Sequence, residues 1–323
     1  MSSELQITSY DDWMRPQVVA LFSRQNSTTE ADEHAYIDGF FEHPYQRDRC
    51  IRLVALDEDK VVGFQAFFFW PYAAGAETFA SYQSGRSLVH PEYRGRGIFQ
   101  RLLCQVEDNP GDFTADFIVG FPVDVSFGSL VRNGFAHVCD LTTYVRLIHP
   151  TSVSPKAAPW SLGFDPTPEV VPAAVAHGQI GRIRSPEFDA WHASFGLAPM
   201  YEHFHHGEGA KVLRVDLAYS VRRGRILQVT IGDVVANEQD LQFIHRGMKA
   251  CLRAIRARRE VGLLAIDLNR HSADPTLRDF VRRNRFFDVR QKNNYFLVKA
   301  LTERPMILDP TRWSLFRSDR DIW

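Results

Sequence analysis

The run His90-Pro91-Glu92-Tyr93-Arg94-Gly95-Arg96-Gly97-Ile98-Phe99-Gln100-Arg101-Leu102-Leu103 constrains the fold more than any other part of this chain. It joins a strand, a glycine-bearing turn and an amphipathic helix in one stretch. Ser81 to Val89 reads as the strand, and Phe99, Leu102, Leu103 and Val106 fall at i, i+3, i+4 and i+7, an apolar stripe at helical period. Gly95 and Gly97 let the backbone turn tightly and let an anion approach without a Cβ in the way. The first N–H groups of a helix lack carbonyl partners and point outward, so the turn is a candidate phosphate cradle. Arg94 and Arg96 add positive charge to it.

With 323 residues the chain is longer than one typical domain, and two are expected. An apolar share of 45%, 24% charged residues and 24 Phe with 6 Trp supply a large core and argue against disorder. No run approaches the roughly 18 apolar residues of a membrane-spanning helix. Met1-Ser2-Ser3-Glu4-Leu5 lacks the basic and apolar regions of a signal peptide, so a cytoplasmic protein with no membrane contact is expected. Cys50, Cys104, Cys139 and Cys251 are widely spaced, which fits reduced, buried thiols rather than a disulfide framework or a zinc site. A net charge of −1 argues against a general nucleic-acid binder, and no nucleic-acid partner is expected, although a local basic groove stays open.

Along the chain, Leu5 to Ser9 reads as a first strand, followed by a helix with Trp13, Val18, Leu21 and Phe22 on one side and a second helix from Glu30 to Phe41. Cys50 to Leu56 and Val61 to Trp70 form a hairpin across Asp57-Glu58-Asp59-Lys60. Beyond the central strand, loop and helix come a strand (Asp116 to Phe121), a short helix stopping at Asn133-Gly134, and a strand (Thr142 to Ile148). Six prolines punctuate His149 to Pro172, which reads as a linker or strap. The rest offers strands at Val212 to Tyr219, Arg225 to Ile231, Leu263 to Leu268 and Tyr295 to Leu301, with helices at Leu241 to Ile255 and Thr276 to Asn284. Phe280-Val281-Arg282-Arg283-Asn284-Arg285-Phe286 echoes Leu130-Val131-Arg132-Asn133-Gly134-Phe135 with a one-residue spacing difference, which suggests an internal repeat.

Arg94-Gly95-Arg96-Gly97-Ile98-Phe99 resembles the acyl-CoA-binding motif of the GNAT (GCN5-related N-acetyltransferase) superfamily, Gln/Arg-x-x-Gly-x-Gly/Ala between a strand and a helix. The first four constrained positions match, and the upstream spacing of Val89, Pro91, Tyr93 and Arg94 agrees. Phe99 stands for the usual small residue, as in a Gly-Ile-Phe subset whose members include proteins of polysaccharide or natural-product pathways. The resemblance covers about residues 4 to 148. It implies an α/β fold with a mixed sheet, the GNAT fold, with acetyl-CoA or another acyl-CoA as co-substrate. It implies that the loop amides from Arg94 to Phe99 hold the pyrophosphate. It also implies that the pantetheine arm bonds to the exposed backbone of Leu88 and Val89, with Ser87 at the edge. The expected division is an acyl-CoA-binding domain (1–148), a Pro-rich linker (149–175) and a degenerate GNAT-like domain (176–323) that is structural or shapes an acceptor pocket. Asn237-Glu238-Gln239-Asp240 replaces the glycine loop there and would repel a pyrophosphate.

Acyl transfer needs a neutral nucleophile, a route for its proton and donors for the oxyanion. The resemblance places an Asn and a thiolate-protonating Tyr around the second helix of the motif region, but the matching run is Val123-Asp124-Val125-Ser126 and the Tyr position is Leu130. Ser126 holds its place and Asp124 lies beside the same entrance. Early on the central strand stand Tyr82 and Gln83, one of which must face the core; either is a candidate to orient the nucleophile. His203-x-His205-His206, with Glu202 and Glu208, has metal-ligand types, but its spacing in a glycine-containing stretch reads first as a solvated loop, and no metal is expected. Arg246, Lys249, Arg253, Arg256, Arg258 and Arg259 read as a solvated helix face that an acidic acceptor could also use. Trp313 to Trp323 reads as a C-terminal clasp.

The expectation is therefore an acyltransferase moving an acetyl or other acyl group from acyl-CoA to an amine by direct attack, the acceptor being a small molecule such as an amino sugar, an amino acid or a biosynthetic intermediate. The alternatives are a transferase of the same fold using acyl-ACP or aminoacyl-tRNA, or a non-catalytic acyl-CoA sensor.

Overall fold

The computed structural model describes residues 5–108, 114–149, 162–164, 178–193, 201–223, 225–289 and 294–320. Most of the expected linker, 150–161 and 165–175, lies outside the described residues, as do 321–323 of the expected clasp.

The first half opens with β1 (Gln6–Ser9), α1 (Arg15–Asn26) and α2 (Glu30–Phe40). Pro16 starts α1, and a reciprocal Thr29–Asp32 capping box starts α2. Val18, Val19, Leu21 and Phe22 of α1 and Tyr36, Ile37 and Phe40 of α2 are buried. Trp13 departs from the helical reading: it sits in a 3-10 turn, 50% exposed, and Met14 takes the core position at 3%. Next come β2 (Ile51–Asp57) and β3 (Lys60–Phe69), a small hairpin of β4 (Tyr72–Ala74) and β5 (Glu77–Phe79), β6 (Ser81–Val89), α3 (Ile98–Asp108), β7 (Phe117–Gly120), α4 (Asp124–Arg132) and β8 (Ala136–Leu147). The second half holds β9 (Gly181–Arg182), α5 (Pro186–Ala193), β10 (Glu202–Glu208), β11 (Lys211–Arg222), β12 (Ile226–Ala236), α6 (Leu241–Arg256), β13 (Val261–Asn269), α7 (Thr276–Arg283), β14 (Phe287–Val289) and β15 (Tyr295–Ala300).

One mixed sheet runs through both halves in the order β1-β2-β3-β6-β7-β15-β8-β13-β12-β11-β10, with β14 against β8. The halves exchange strands at its centre. β15, from the end of the chain, lies between β7 and β8, pairing Leu297 with Gly120 and Tyr295 with Asp140. The distal part of β8 in turn lies between β13 and β14, pairing Tyr144 with both Ile266 and Asp288. β6, β7 and β8 run one way and β12, β13 and β15 the other.

Helices α1, α2 and α5 share one apolar cluster with Trp313, which is fully buried against Tyr72, Phe117 and Phe296. The clasp reading holds for its described part. α3 and α4 close the other face of the first half, burying Ile98, Leu102, Leu103 and Leu130, while α6 and α7 cover the second half. The internal echo is structural and needs no spacing difference. Asn133 and Asn284 each donate a side-chain N–H to the carbonyl four residues back, at 2.7 and 2.8 Å, and Gly134 and Arg285 follow with φ of 83° and 56°. The His203 stretch is not a loop: it is β10, paired with β11, and His203 is 6% exposed with Nδ1 2.8 Å from Asp216. Among the described residues no three His, Cys, Asp or Glu side chains form a metal-ion site.

Candidate active site

The site is built where β6 and β7 part. The two strands pair in parallel from Ser81–Phe117 to Ser84–Gly120; β7 then ends, while β6 runs on to Val89. On that side the backbone of Gly85 to Val89 faces no neighbouring strand among the described residues, leaving donors and acceptors for an added chain. Against β3 the ladder slips between Phe64 and Ala66, so that Arg86 and Ser87 oppose Gln65 alone, and Arg86 takes φ 50°. This bulge turns the backbone just at the split. It is braced from the side: the Ser87 hydroxyl donates to Gln65, and the Arg86 guanidinium reaches Glu33 at 2.5 Å and lies over the Tyr36 ring at 3.7 Å. Glu33 is 1% exposed. Burial pushes its carboxyl up, but hydrogen bonds from Asn26 and Thr28 and the Arg86 charge outweigh that and hold it below the ordinary value.

Val89 leads through a 3-10 turn, Pro91–Tyr93, into the glycine loop at the start of α3. Gly95 and Gly97 have φ of 79° and 72°, and a Cβ on either would meet no atom within 4 Å. The conformation favours glycine, and the space beside it is open. Arg94 is tied back, donating to the Val89 carbonyl at 3.2 Å and to Gln25 at 2.8 Å, and Arg96 lies over the Tyr93 ring at 4.6 Å. Tyr93 in turn donates to Asp57 at 2.6 Å. Residues 94–97 are exposed, Ile98 is 2% exposed, and Phe99 packs partly against the α3 core. The loop thus presents amides and two guanidinium groups to solvent while Ile98 anchors the helix.

Asp124 and Ser126 stand at the start of α4, across the split. Ser126 Oγ donates to the Val123 carbonyl at 3.1 Å. Asp124 accepts from the Tyr295 hydroxyl at 2.9 Å. Sequence reasoning missed this tyrosine, because β15 comes from the far end of the chain and reaches the split only through the strand exchange. Its hydrogen bond to Asp124, with lesser help from burial, raises its pKa above the ordinary value, so the hydroxyl stays protonated at neutral pH. Phe127 and His137 hold the ring at 4.5 and 5.9 Å between centroids. Leu130, at the position where a tyrosine was sought, is 4% exposed and part of the core. Tyr82 and Gln83 lie elsewhere, in the closed part of the β6–β7 pair. Tyr82 packs edge-on to Phe69 at 5.7 Å, and Gln83 is 1% exposed on the opposite face.

Residues 15–109 match the family model described as acetyltransferase (GNAT) family, a span that contains β6, the glycine loop and α3. No curated protein matches the sequence. Among solved structures, a GCN5-related N-acetyltransferase from Anabaena variabilis is similar over 93% of this chain and 73% of its own, with 14% identity and a TM-score of 0.66. A GCN5-related N-acetyltransferase from Kribbella flavida is similar over 93% and 72%, at 14% identity and a TM-score of 0.57. Eis1 from Mycobacterium abscessus is similar over 91% and 73%, at 15% identity and a TM-score of 0.55. The fold is the GNAT fold in tandem. The chain thus carries a segment of GNAT acetyltransferase type, a family of acyl-transfer enzymes that use acyl-CoA as co-substrate. No helix among the described residues is long and apolar enough to cross a membrane.

Proposed function

We propose that this protein transfers an acetyl or other acyl group from acyl-CoA to the amine of a small-molecule acceptor by direct attack in the β6–β7 split, with residues 1–148 as the donor-binding domain and 176–323 as its degenerate partner. The observation that carries the reading is the alignment of three features on one strand: the unpaired edge of Gly85 to Val89, the bulge at Arg86–Ser87, and the glycine loop at the start of α3. The loop amides and Arg94 and Arg96 would hold the pyrophosphate. Leu88 and Val89 would take the pantetheine arm as an added strand, and the bulge amides would meet the oxyanion. Attack of the neutral amine on the thioester carbonyl forms the C–N bond. Collapse of the tetrahedral intermediate then breaks the C–S bond.

Tyr295, raised in pKa and still protonated, is the candidate donor to the leaving thiolate, and Asp124 the group through which the tyrosine recovers a proton that the amine releases. The charge distribution supports a cationic acceptor. Residues 1–148 hold 12 Lys and Arg against 20 Asp and Glu, while the remaining residues hold 26 against 19, so the half bearing the split attracts amines. The test is turnover of acetyl-CoA with a panel of amino sugars, amino acids and simple amines, followed by intact-mass analysis of the products. Acetylation of an amine supports the reading. Bound acetyl-CoA with no acylated amine would favour a sensor.

A further inference from the structure

The second half keeps the device that opens the first. β12 and β13 run parallel and pair from Leu227–Val261 to Ile231–Ile266, after which β12 runs on to Ala236 paired with β11 but no longer with β13. A bulge at Gly232, between the Leu217–Ile231 and Asp216–Asp233 pairs, falls at the point of parting, as Arg86 and Ser87 do in β6. The C-terminal tail occupies the inner part of this second split. Phe316 bridges to Leu268, Arg317 donates to Asp267 at 2.7 Å, and Ser318 donates to Asp233 at 3.2 Å.

Outside the tail a cavity of about 490 Å³ remains, and the unpaired edge of β12 at Val234 to Ala236 forms one wall. Leu241, Ile244, Leu277 and Phe316 supply its apolar lining; its charged lining is Asp233, Glu238, Asp274 and Asp319 against Arg182 and Arg184. Both arginines are already committed. Arg182 reaches Asp233 at 2.7 Å and Asp319 at 3.4 Å, and Arg184 pairs with Asp233 and, at 2.8 Å, with Asp189. Among the described residues Glu238 pairs with Lys211 alone, at 3.8 Å, and Asp274, which accepts from Thr276 through Oδ1, has no cation within 4 Å. The lining therefore carries an excess of carboxylate.

A phosphate has no place here. Asp240 caps α6 with its own carboxylate, accepting from the Gln242 and Phe243 amides at 2.9 and 3.0 Å, which are the groups an anion would use. Nor is this the acceptor side of the first split. β6–β7 and β12–β13 part at their C-terminal ends and run in opposite directions, so the two clefts open at opposite ends of the sheet.

We propose that this cavity is a second ligand site, for a small organic cation with an apolar body such as an alkyl or aryl-alkyl amine. The ammonium sits toward Glu238 and Asp274, and the apolar body lies against Leu241, Ile244, Leu277 and Phe316. The proposal does not depend on the acyl-transfer reading.

Calorimetry on the full chain, saturated with coenzyme A, tests it with 2-phenylethylamine as probe and 2-phenylethanol and phenylacetate as neutral and anionic isosteres. The site predicts binding of the amine, roughly tenfold or more loss with either isostere, and a similar loss in Glu238→Gln combined with Asp274→Asn. Ala236→Phe, which fills the cavity, should abolish binding, while Asp124→Asn at the other end of the sheet should leave it intact. Glu238→Gln alone, at an exposed rim position that caps no helix, keeps the test valid if the double variant unfolds. Absence of amine binding, binding unchanged in the folded Glu238→Gln and Ala236→Phe variants, or loss of binding in Asp124→Asn alone would overturn the proposal.

Discussion

Replacing Gly97 by valine sets two effects against each other that a paired substitution separates. Gly97 has φ 72°, and a Cβ there meets nothing within 4 Å, so the cost to the folded chain is the left-handed backbone alone, about 1–2 kcal/mol. In a chain of this size that lowers the melting temperature by a few degrees. Gly209, in the turn between β10 and β11, has φ 62° and the same open surroundings, so Gly209→Val carries the same backbone cost far from the split. Only at position 97 does the side chain stand where phosphate oxygens approach the amides. Losing two charge-assisted hydrogen bonds of about 1.5–3 kcal/mol each weakens coenzyme A binding by roughly a hundredfold or more. Calorimetry with coenzyme A and thermal denaturation of both variants should therefore show equal destabilisation and unequal binding. An unchanged affinity in a folded Gly97→Val, or an equal loss in Gly209→Val, would refute the cradle.

Three further outcomes follow from the geometry. Tyr295→Phe should lower kcat by about 10²–10⁴-fold with little change in KM for acyl-CoA, and Asp124→Asn by less, as expected of a relay rather than an essential base; steady-state kinetics with both variants checks this. Because the Asp124 bond, with lesser help from burial, raises the pKa of the Tyr295 hydroxyl, kcat/KM should rise with pH toward the pKa of the acceptor amine, and any falling limb should lie above the ordinary tyrosine value in a pH–rate profile. Glu33, held below its ordinary pKa in the fold, contributes stability that is present above the unfolded value of about 4.5 and is lost as pH falls through the folded one. Glu33→Gln should cost about 3–5 kcal/mol at neutral pH and flatten the acid limb of stability, measured by urea denaturation from pH 3 to pH 7.

How far the fold could be read from the sequence depended on whether the signal was local. The strand Ser81–Val89, the glycine turn and α3 stand in one contiguous run with matching period, and the structure places them within a residue of the reading. The repeat was legible through its helix ends, because an Asn followed by a left-handed residue is a local stop signal that Asn133-Gly134 and Asn284-Arg285 share. The strand exchange was not legible: nothing local distinguishes a β15 that pairs within its own half from one that crosses to β7. Tyr295 was missed for that reason. β10 was misread because its polar His203, His205 and His206 do not alternate with apolar residues, and its burial comes from Asp216 and the arginines across the sheet rather than from a hydrophobic stripe. The second split was hidden because its plug, Arg317–Asp319, lies some 80 residues downstream of the strand it accompanies.

The central claim is that the split between β6 and β7, and not the one between β12 and β13, receives acyl-CoA. Backbone hydrogen exchange on the full chain with and without acetyl-CoA tests it most directly. The account predicts new protection at the amides of Arg86 to Val89 and Gly95 to Phe99, no change at Gly232 to Ala236, and saturation at one equivalent per chain. Protection at Gly232 to Ala236, a second equivalent bound, or no protection along β6 would contradict it.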